Sequence, residues 1–309
     1  LMLKIYQQTV RNSISFDGVG LHTGKECKIN ILPGKDDQGI VFKRTDLKEN
    51  NLILANYNNV CSAKLCTTLR NEHGVKVSTV EHLLAALYIS EIDNAVVEIN
   101  NEEVPIMDGS AKEFLSKLKE IELKVSDKKR KYLKILNEIE LNDGKKKISI
   151  SPNDTSFEVD FQLDYKNKII GKQRNCINFY TDDLNDIYES RTFCLFEDIE
   201  KIKENGLAKG GSLDNAVVVD ENKVLNSDGL RNNKEFVNHK ILDLAGDFLL
   251  SGYRVLGKVI CHQGGHELTN KFLKKMLKSQ NSLSIKEFGD ILISKKTSRD
   301  RLIKIAVNA

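Results

Sequence analysis

Tryptophan is absent from this 309-residue chain, and proline and methionine occur only three times each. Against the many Lys, Asn and Ile residues, these scarcities read as compositional bias and point to no function. Long apolar runs are missing as well. Stretches such as Phe248-Leu249-Leu250 fall far short of the roughly 20 residues a membrane-spanning helix needs. The opening Leu1-Met2-Leu3-Lys4-Ile5-Tyr6-Gln7-Gln8 lacks the apolar core of a signal peptide. Six cysteines, at 27, 61, 66, 176, 194 and 261, contain no CxxC. That spacing excludes a zinc ribbon and fits buried thiols in a reducing compartment better than a disulfide frame. Neither sign of charge dominates: the net charge is +3, so the balance calls for no nucleic-acid partner. No GxSxG elbow, Walker A loop or HExxH helix occurs. Gly18-Val19-Gly20-Leu21-His22-Thr23-Gly24 has the look of a dinucleotide loop, but its spacing is wrong and it joins two strands. A cytoplasmic monomer with no nucleic-acid partner and no stable membrane insertion is the expectation.

What is present suits a globular protein: 40% hydrophobic and 29% charged residues, with enough length for two modest cores. Residues 9–32 read as strand, turn at Asp17-Gly18-Val19-Gly20, and strand to Pro33. Ser78-Thr79-Val80-Glu81 has the capping-box pattern and opens a helix. A strand at Ala95–Ile99 and a helix from Ser110 follow. The charge run Ser126–Lys131 is a candidate linker, after which the pattern restarts. Lys147-Ile148-Ser149-Ile150-Ser151-Pro152 echoes Lys28-Ile29-Asn30-Ile31-Leu32-Pro33, and an apolar helix over 234–250 again leads into a strand. The expected architecture is two similar α/β units, 1–126 and 132–285, with an insert at about 193–223 and a basic tail over 286–309.

On the 234–250 helix, Val237, Ile241, Leu244, Ala245, Phe248 and Leu249 form an apolar face. His239, Asp243 and Asp247 form a separate stripe, each one turn after the last. A His and an Asp so spaced could share a Zn²⁺ ion with His82, leaving the fourth position open as in a catalytic site, and Glu81 is a carboxylate available as general base. Taken singly, each residue has a plainer explanation. HxxxD is commonly a polar helix face, Glu81 a capping residue, His82 a satisfied core histidine, and Gly264-Gly265 before His266 an ordinary turn.

Several long motifs in order outweigh those explanations. Val19-Gly20-Leu21-His22-Thr23-Gly24, Ser78-Thr79-Val80-Glu81-His82-Leu83 and Pro105-Ile106-Met107-Asp108-Gly109-Ser110 come first. Arg191-Thr192-Phe193, Gly210-Gly211-Ser212-Leu213-Asp214-Asn215-Ala216 and Leu225-Asn226-Ser227-Asp228-Gly229-Leu230-Arg231 follow. His239-Lys240-Ile241-Leu242-Asp243 with Gly246-Asp247, and Gly265-His266 with Asn270-Lys271, complete the set. Together they closely resemble the UDP-3-O-acyl-N-acetylglucosamine deacetylases of bacterial lipid A biosynthesis, over about residues 4–280.

The resemblance implies an α+β fold of two β-α-α-β sandwich domains with the active site between them. It implies Zn²⁺ on His82, His239 and Asp243, Glu81 as general base, and Thr192 as an oxyanion donor. Lys240 would lie near the substrate phosphates, and His266 would be the cationic group or general acid, oriented by Asp247. The insert would form an acyl-chain passage lined by Phe193, Phe196, Ile199, Ala208, Ser212, Leu213, Ala216 and Val218. Tyr165 is the aromatic available to stack on uracil. Gln263 departs from the pattern, because some members carry a basic residue there. The implied substrate is an acylated UDP-N-acetylglucosamine. The rival from another class is a zinc-stabilised module whose lysine-rich surface binds nucleic acid or a membrane surface. A structural zinc of that kind would be closed by four protein ligands.

Overall fold

A computed structural model describes residues 3–291. The first half runs β1 (Tyr6–Val10), β2 (Ile14–Val19), β3 (Glu26–Pro33), β4 (Ile40–Arg44) and β5 (Leu52–Leu54). Three short strands follow, β6 (Val60–Ser62), β7 (Thr68–Arg70) and β8 (Lys76–Val77). Helix α1 (Glu81–Ile89), β9 (Ala95–Ile99), helix α2 (Lys112–Glu120) and β10 (Leu123–Lys129) complete it. In β3, Cys27, Ile29 and Ile31 are buried while Glu26 and Lys28 face water, the period-two alternation of a sheet with one wet face. The sheet order is β2-β3-β9-β4-β5, antiparallel except where β4 runs parallel to β9.

The second half repeats that plan. It contains β11 (Lys131–Ile135), β12 (Ile139–Asp143), β13 (Lys146–Pro152), β14 (Phe157–Asp164), β15 (Lys172–Asn178) and the short helix α3 (Asn185–Tyr188). Next come β16 (Phe193–Leu195), α4 (Ile199–Glu204), β17 (Val217–Val219), α5 (Glu235–Leu249), β18 (Arg254–His262), α6 (His266–Lys278) and β19 (Leu283–Glu287). Neighbouring strands follow β12-β13-β18-β14-β15, again with one parallel pair, β14 on β18. The two echoing segments fall in the equivalent strands β3 and β13, where Pro33 pairs with Ala95 and Pro152 with Gly257. β11 and β19 extend the second sheet.

Helix α2 packs on β2, α5 on β14 and β15, and α6 on β12 and β13, while α1 and α5 pack against each other. The fold is α+β, with helices against both sheets and meeting each other at α1 and α5, and one apolar core runs through both halves. Gly246 makes the α1–α5 contact possible: a Cβ there would lie 2.2 Å from the Glu81 carbonyl oxygen. No side chain fits that approach.

Several expectations need correction. The segment 126–131 is no linker: its first four residues belong to β10, which pairs with β1, and Arg130 is 2% exposed. The turn after β2 lies at 21–23, because Asp17 and Gly18 still pair with Lys28 and Cys27. No capping box forms, since Ser78 gives both its N–H and its hydroxyl to the Glu102 carbonyl and the helix begins at Glu81 itself. Cys61 and Cys176 are exposed, unlike the buried Cys27 and Cys261. Lys286 and Glu287 complete β19 instead of starting the basic tail, most of which (292–309) lies outside the described residues. Among the described residues, no helix is long and apolar enough to cross a membrane.

Candidate active site

The first turn of α1 and the middle of α5 meet at the junction of the halves. His239 Nε2 and His82 Nε2 lie 3.3 and 3.4 Å from the same atom, Asp243 Oδ1. The three ligand-capable atoms fall within 4.8 Å of one another, and all three residues are buried. Among the described residues Asp243 Oδ1 makes no hydrogen bond, which is costly for a buried carboxylate oxygen unless a cation meets it. His239 Nδ1 lies 3.0 Å from the Ser190 carbonyl. That bond fixes Nδ1 as the donor and turns the lone pair of Nε2 to the cluster, as a metal-ligating histidine requires. Burial, opposed by Asp243, lowers the His239 pKa to about 3, so its imidazole is neutral. Burial works against the Asp243 carboxylate, yet His239, His266 and Lys240 hold its pKa well below the usual range. A neutral imidazole, an ionised carboxylate and a second imidazole fit a divalent metal such as zinc.

Two further groups face this cluster. Glu81 lies at the N-terminus of α1, where the helix dipole favours negative charge, and burial raises its pKa against the opposing pull of His266 and His82. His266, the first residue of α6, contacts Asp247 Oδ2 through Nδ1 at 2.6 Å. Its Nε2 lies 3.5 Å from Glu81 Oε1 and 3.7 Å from Asp243 Oδ2. Although burial disfavours the imidazolium, Asp247, Glu81 and Asp243 raise its pKa to about 10. The site thus pairs a buried carboxylate of raised pKa with a cationic imidazole, a pairing suited to moving protons.

The other expected residues are distributed as follows. Lys240 Nζ lies 3.4 Å from Asp243 Oδ2 and 5.4 Å from the centre of the Phe193 ring. Burial opposes its charge, but Asp243 and Tyr165 raise its pKa. Phe193 stacks edge-on with Tyr165, Phe236 and His239 at 6.0, 5.0 and 6.5 Å, which puts Phe193 beside the metal-capable cluster and Tyr165 one ring further out. Thr192 is held by its backbone, donating to Gly109 O and accepting from Val217 N, both at 2.8 Å. The insert is a parallel β16–α4–β17 crossover with Ala216 and Val218 buried, Ile199 and Ala208 partly buried, and Phe196, Ser212 and Leu213 exposed. It docks on the turn after β2, where Gly210 N donates to Leu21 O and Ala208 N to His22 Nδ1.

Some supporting residues had no sequence signal. Thr67 bonds both Glu81 and Asp247, and only the fold brings its short strand region to them. Buried Glu103 accepts from the backbone N–H groups of His22 and Thr23 and from the Thr79 hydroxyl, shaping that turn. Glu235 does the same for the Arg191-Thr192-Phe193 motif, taking the Arg191 N–H and Nε at 3.0 and 2.8 Å. An acidic residue opening α5 was a readable helix-start feature, but its partner was not.

Fold and site together define a class: an α+β protein whose buried His-His-Asp cluster could hold a metal ion, with Glu81 and His266 facing it. The family model of the UDP-3-O-acyl N-acetylglycosamine deacetylases matches residues 7–278. A UDP-3-O-acyl-N-acetylglucosamine deacetylase from Syntrophotalea carbinolica is 42% identical, covering 93% of this chain and 92% of its own length. Proteins of the same name from Shewanella violacea (38%; 98% of this chain, 97% of the relative) and Histophilus somni (39%; 93% and 94%) are similar throughout. The chain belongs to the UDP-3-O-acyl N-acetylglycosamine deacetylase family and is an amide-bond hydrolase.

Proposed function

We propose that the chain hydrolyses the N-acetyl group of UDP-3-O-acyl-N-acetylglucosamine with one Zn²⁺ held by His82, His239 and Asp243, releasing acetate and the free amine. The observation that carries this reading is the orphaned Asp243 Oδ1 facing two imidazole nitrogens. When bound, zinc supplies Lewis acidity, acidifying a water towards a pKa of ~7 and polarising the amide carbonyl. Glu81 Oε1 takes the water's proton as it attacks. The Thr192 hydroxyl donates to the oxyanion that develops. His266 Nε2 then gives its proton to the leaving nitrogen, while Asp247 keeps Nδ1 protonated and the ring aligned. Lys240 attracts the substrate phosphates, and Tyr165 stacks on uracil.

The insert is read as the acyl passage, with Phe193, Phe196, Ile199, Ala208, Ser212, Leu213, Ala216 and Val218 along it. The repeated sheet order supports two units, read from the sequence as 1–126 and 132–285, with the boundary between them moved to Arg130, between β10 and β11. The reaction would serve as the committed step of lipid A biosynthesis, carried out by a cytoplasmic monomer that does not insert in membranes. Three protein ligands beside a base and an acid favour catalysis over a closed structural zinc in a binding module.

Acetate release from the acylated UDP-sugar tests this directly. Chelation should abolish it and added zinc restore it. A substrate lacking the 3-O-acyl chain should react far less efficiently, since each buried methylene contributes about 0.8 kcal/mol. Release that survives complete chelation, or equal kcat/KM for the two substrates, would contradict the reading.

A further inference from the structure

Thr67 closes a ring that includes both proton-handling groups. Its backbone N–H donates to Glu81 Oε2 at 3.0 Å, and its hydroxyl donates to Asp247 Oδ1 at 2.7 Å. Asp247 Oδ2 meets His266 Nδ1 at 2.6 Å, and His266 Nε2 faces Glu81 Oε1 at 3.5 Å. Each carboxylate therefore spends one oxygen on Thr67 and the other on His266. Three sides of the ring are short. The fourth, between Glu81 and His266, is the long one, and it is where substrate protons would pass.

The ring also spans the junction of the two halves. Thr67 and Glu81 belong to the first half, Asp247 and His266 to α5 and α6 of the second. Thr67 is 2% exposed, and its carbonyl is occupied by Val80 N–H at 3.4 Å. All three of its polar groups are thus engaged inside the protein, in a position where water cannot readily replace the hydroxyl. A β-branched side chain has a restricted χ1, which holds the hydroxyl on Asp247 without further support.

We propose that Thr67 is a positioning residue for the reaction: it sets the width of the gap between Glu81 and His266 by anchoring the rear oxygens of Glu81 and Asp247. It does not touch substrate. Without its hydroxyl, Asp247 Oδ1 is left buried and unpaired, and Asp247 can rotate, carrying the His266 ring with it. Loss of an orienting hydrogen bond behind a reacting group slows turnover more than it weakens binding.

The test uses full-length, zinc-loaded enzyme. Thr67→Val keeps the shape and removes the hydroxyl, and it should lower kcat by about 10–100-fold, the usual cost of removing such an outer partner, with KM little changed. Thr67→Ser keeps the hydroxyl and should regain most of the rate. Metal content should match the parent in both. In an Asp247→Asn background, Thr67→Val should cost far less, because the partner it orients is already altered. Should the valine variant not fold, Thr67→Ala carries the same predictions.

A valine variant with parental kcat would overturn the proposal. So would a serine variant as slow as the valine one, or an equal fold-loss in the Asp247→Asn background. The inference rests on the proposed roles of Glu81 and His266. Full activity in Glu81→Ala would refute those roles, whereas an enzyme that needs Glu81 but ignores Thr67→Val refutes only the assignment of Thr67.

Discussion

Two buried polar clusters join the halves of this protein, one at each end of α1, and they are satisfied to different degrees. Beyond the C-terminal end, Arg130, which lies between the halves, and Arg254 from the second meet carboxylates of the first. Arg130 bonds Asp93 Oδ2 at 2.8 Å and Glu91 Oε1 at 3.1 Å, and Nη2 also donates to the Glu91 carbonyl. Arg254 donates to the carbonyls of Tyr88 and Ile92, capping the last turn of α1 with positive charge where the helix leaves acceptors free. Every charge there has an opposite partner. At the N-terminal end, Glu81, Asp243 and Asp247 crowd around three imidazoles, and Asp243 Oδ1 faces two of them without a hydrogen bond among the described residues. Arg130 and Arg254 are as buried as the groups at the other end, although Glu91 and Asp93 are partly exposed. What separates a clamp from a reaction site is whether the buried groups are already satisfied.

Substitutions at the two ends should therefore fail in opposite ways. The largest effect is expected from Glu81→Ala, which should lower the rate by roughly 10²–10⁴-fold, the span for a general base. Its unfolding midpoint should stay level or rise, because a buried carboxylate of raised pKa has been removed. Acetate release and thermal unfolding on the same preparation check both halves of that statement, and an unchanged rate would return Glu81 to a structural role. Asp93→Ala should do the reverse. Leaving Arg130 and Arg254 without their shared anion should cost about 3–5 kcal/mol of stability, read by urea unfolding, while the folded fraction keeps its kcat. A large loss of turnover without loss of stability would blur the distinction between the clusters.

The smallest effect concerns a third contact across the halves, Asp108 with Arg231 at 2.8 Å. Burial opposes the Asp108 carboxylate, but hydrogen bonds from Ser110 and Arg231 hold its pKa below the ordinary 3.8. A depressed folded-state pKa gives stability that is present above the unfolded value and lost as pH falls through the folded one. Unfolding measured from neutral pH downwards should therefore show a loss beginning below about pH 4. With both partners partly exposed, its size should not exceed about 1 kcal/mol. In Asp108→Asn that acid-dependent increment should disappear, and an identical acid limb in the two proteins would remove Asp108 from the explanation.

Much of the site was legible because helical spacing is a local property. His239, Asp243 and Asp247 stand one turn apart on α5 whatever surrounds them, and Glu81-His82 opens a helix whose apolar residues announce it. The repeat of β3 in β13 was readable for a similar reason, since alternation and a closing proline are both written in six residues. What was not legible depends on distant partners. The charged run at 126–131 looks solvated until Glu91 and Asp93, some 40 residues earlier, bury Arg130. Ser78 could have capped α1 had Glu102 not taken its N–H. Thr67 carries no local mark, because its hydrogen-bond partner Asp247 is 180 residues away. Glycines told the same story: Gly246 looks like a helix weakness until the Glu81 carbonyl 2.2 Å from its missing Cβ explains it.

The claim that most needs testing is that the unsatisfied cluster exists to hold a metal. Elemental analysis of purified parent enzyme and Asp243→Ala, with circular dichroism and thermal unfolding to confirm that the variant folds, addresses it without reference to activity. About one zinc per parent chain and almost none in a folded Asp243→Ala is the predicted result. Full zinc occupancy in that folded variant would contradict it, and with it the reading of Asp243 Oδ1 as an atom waiting for a cation.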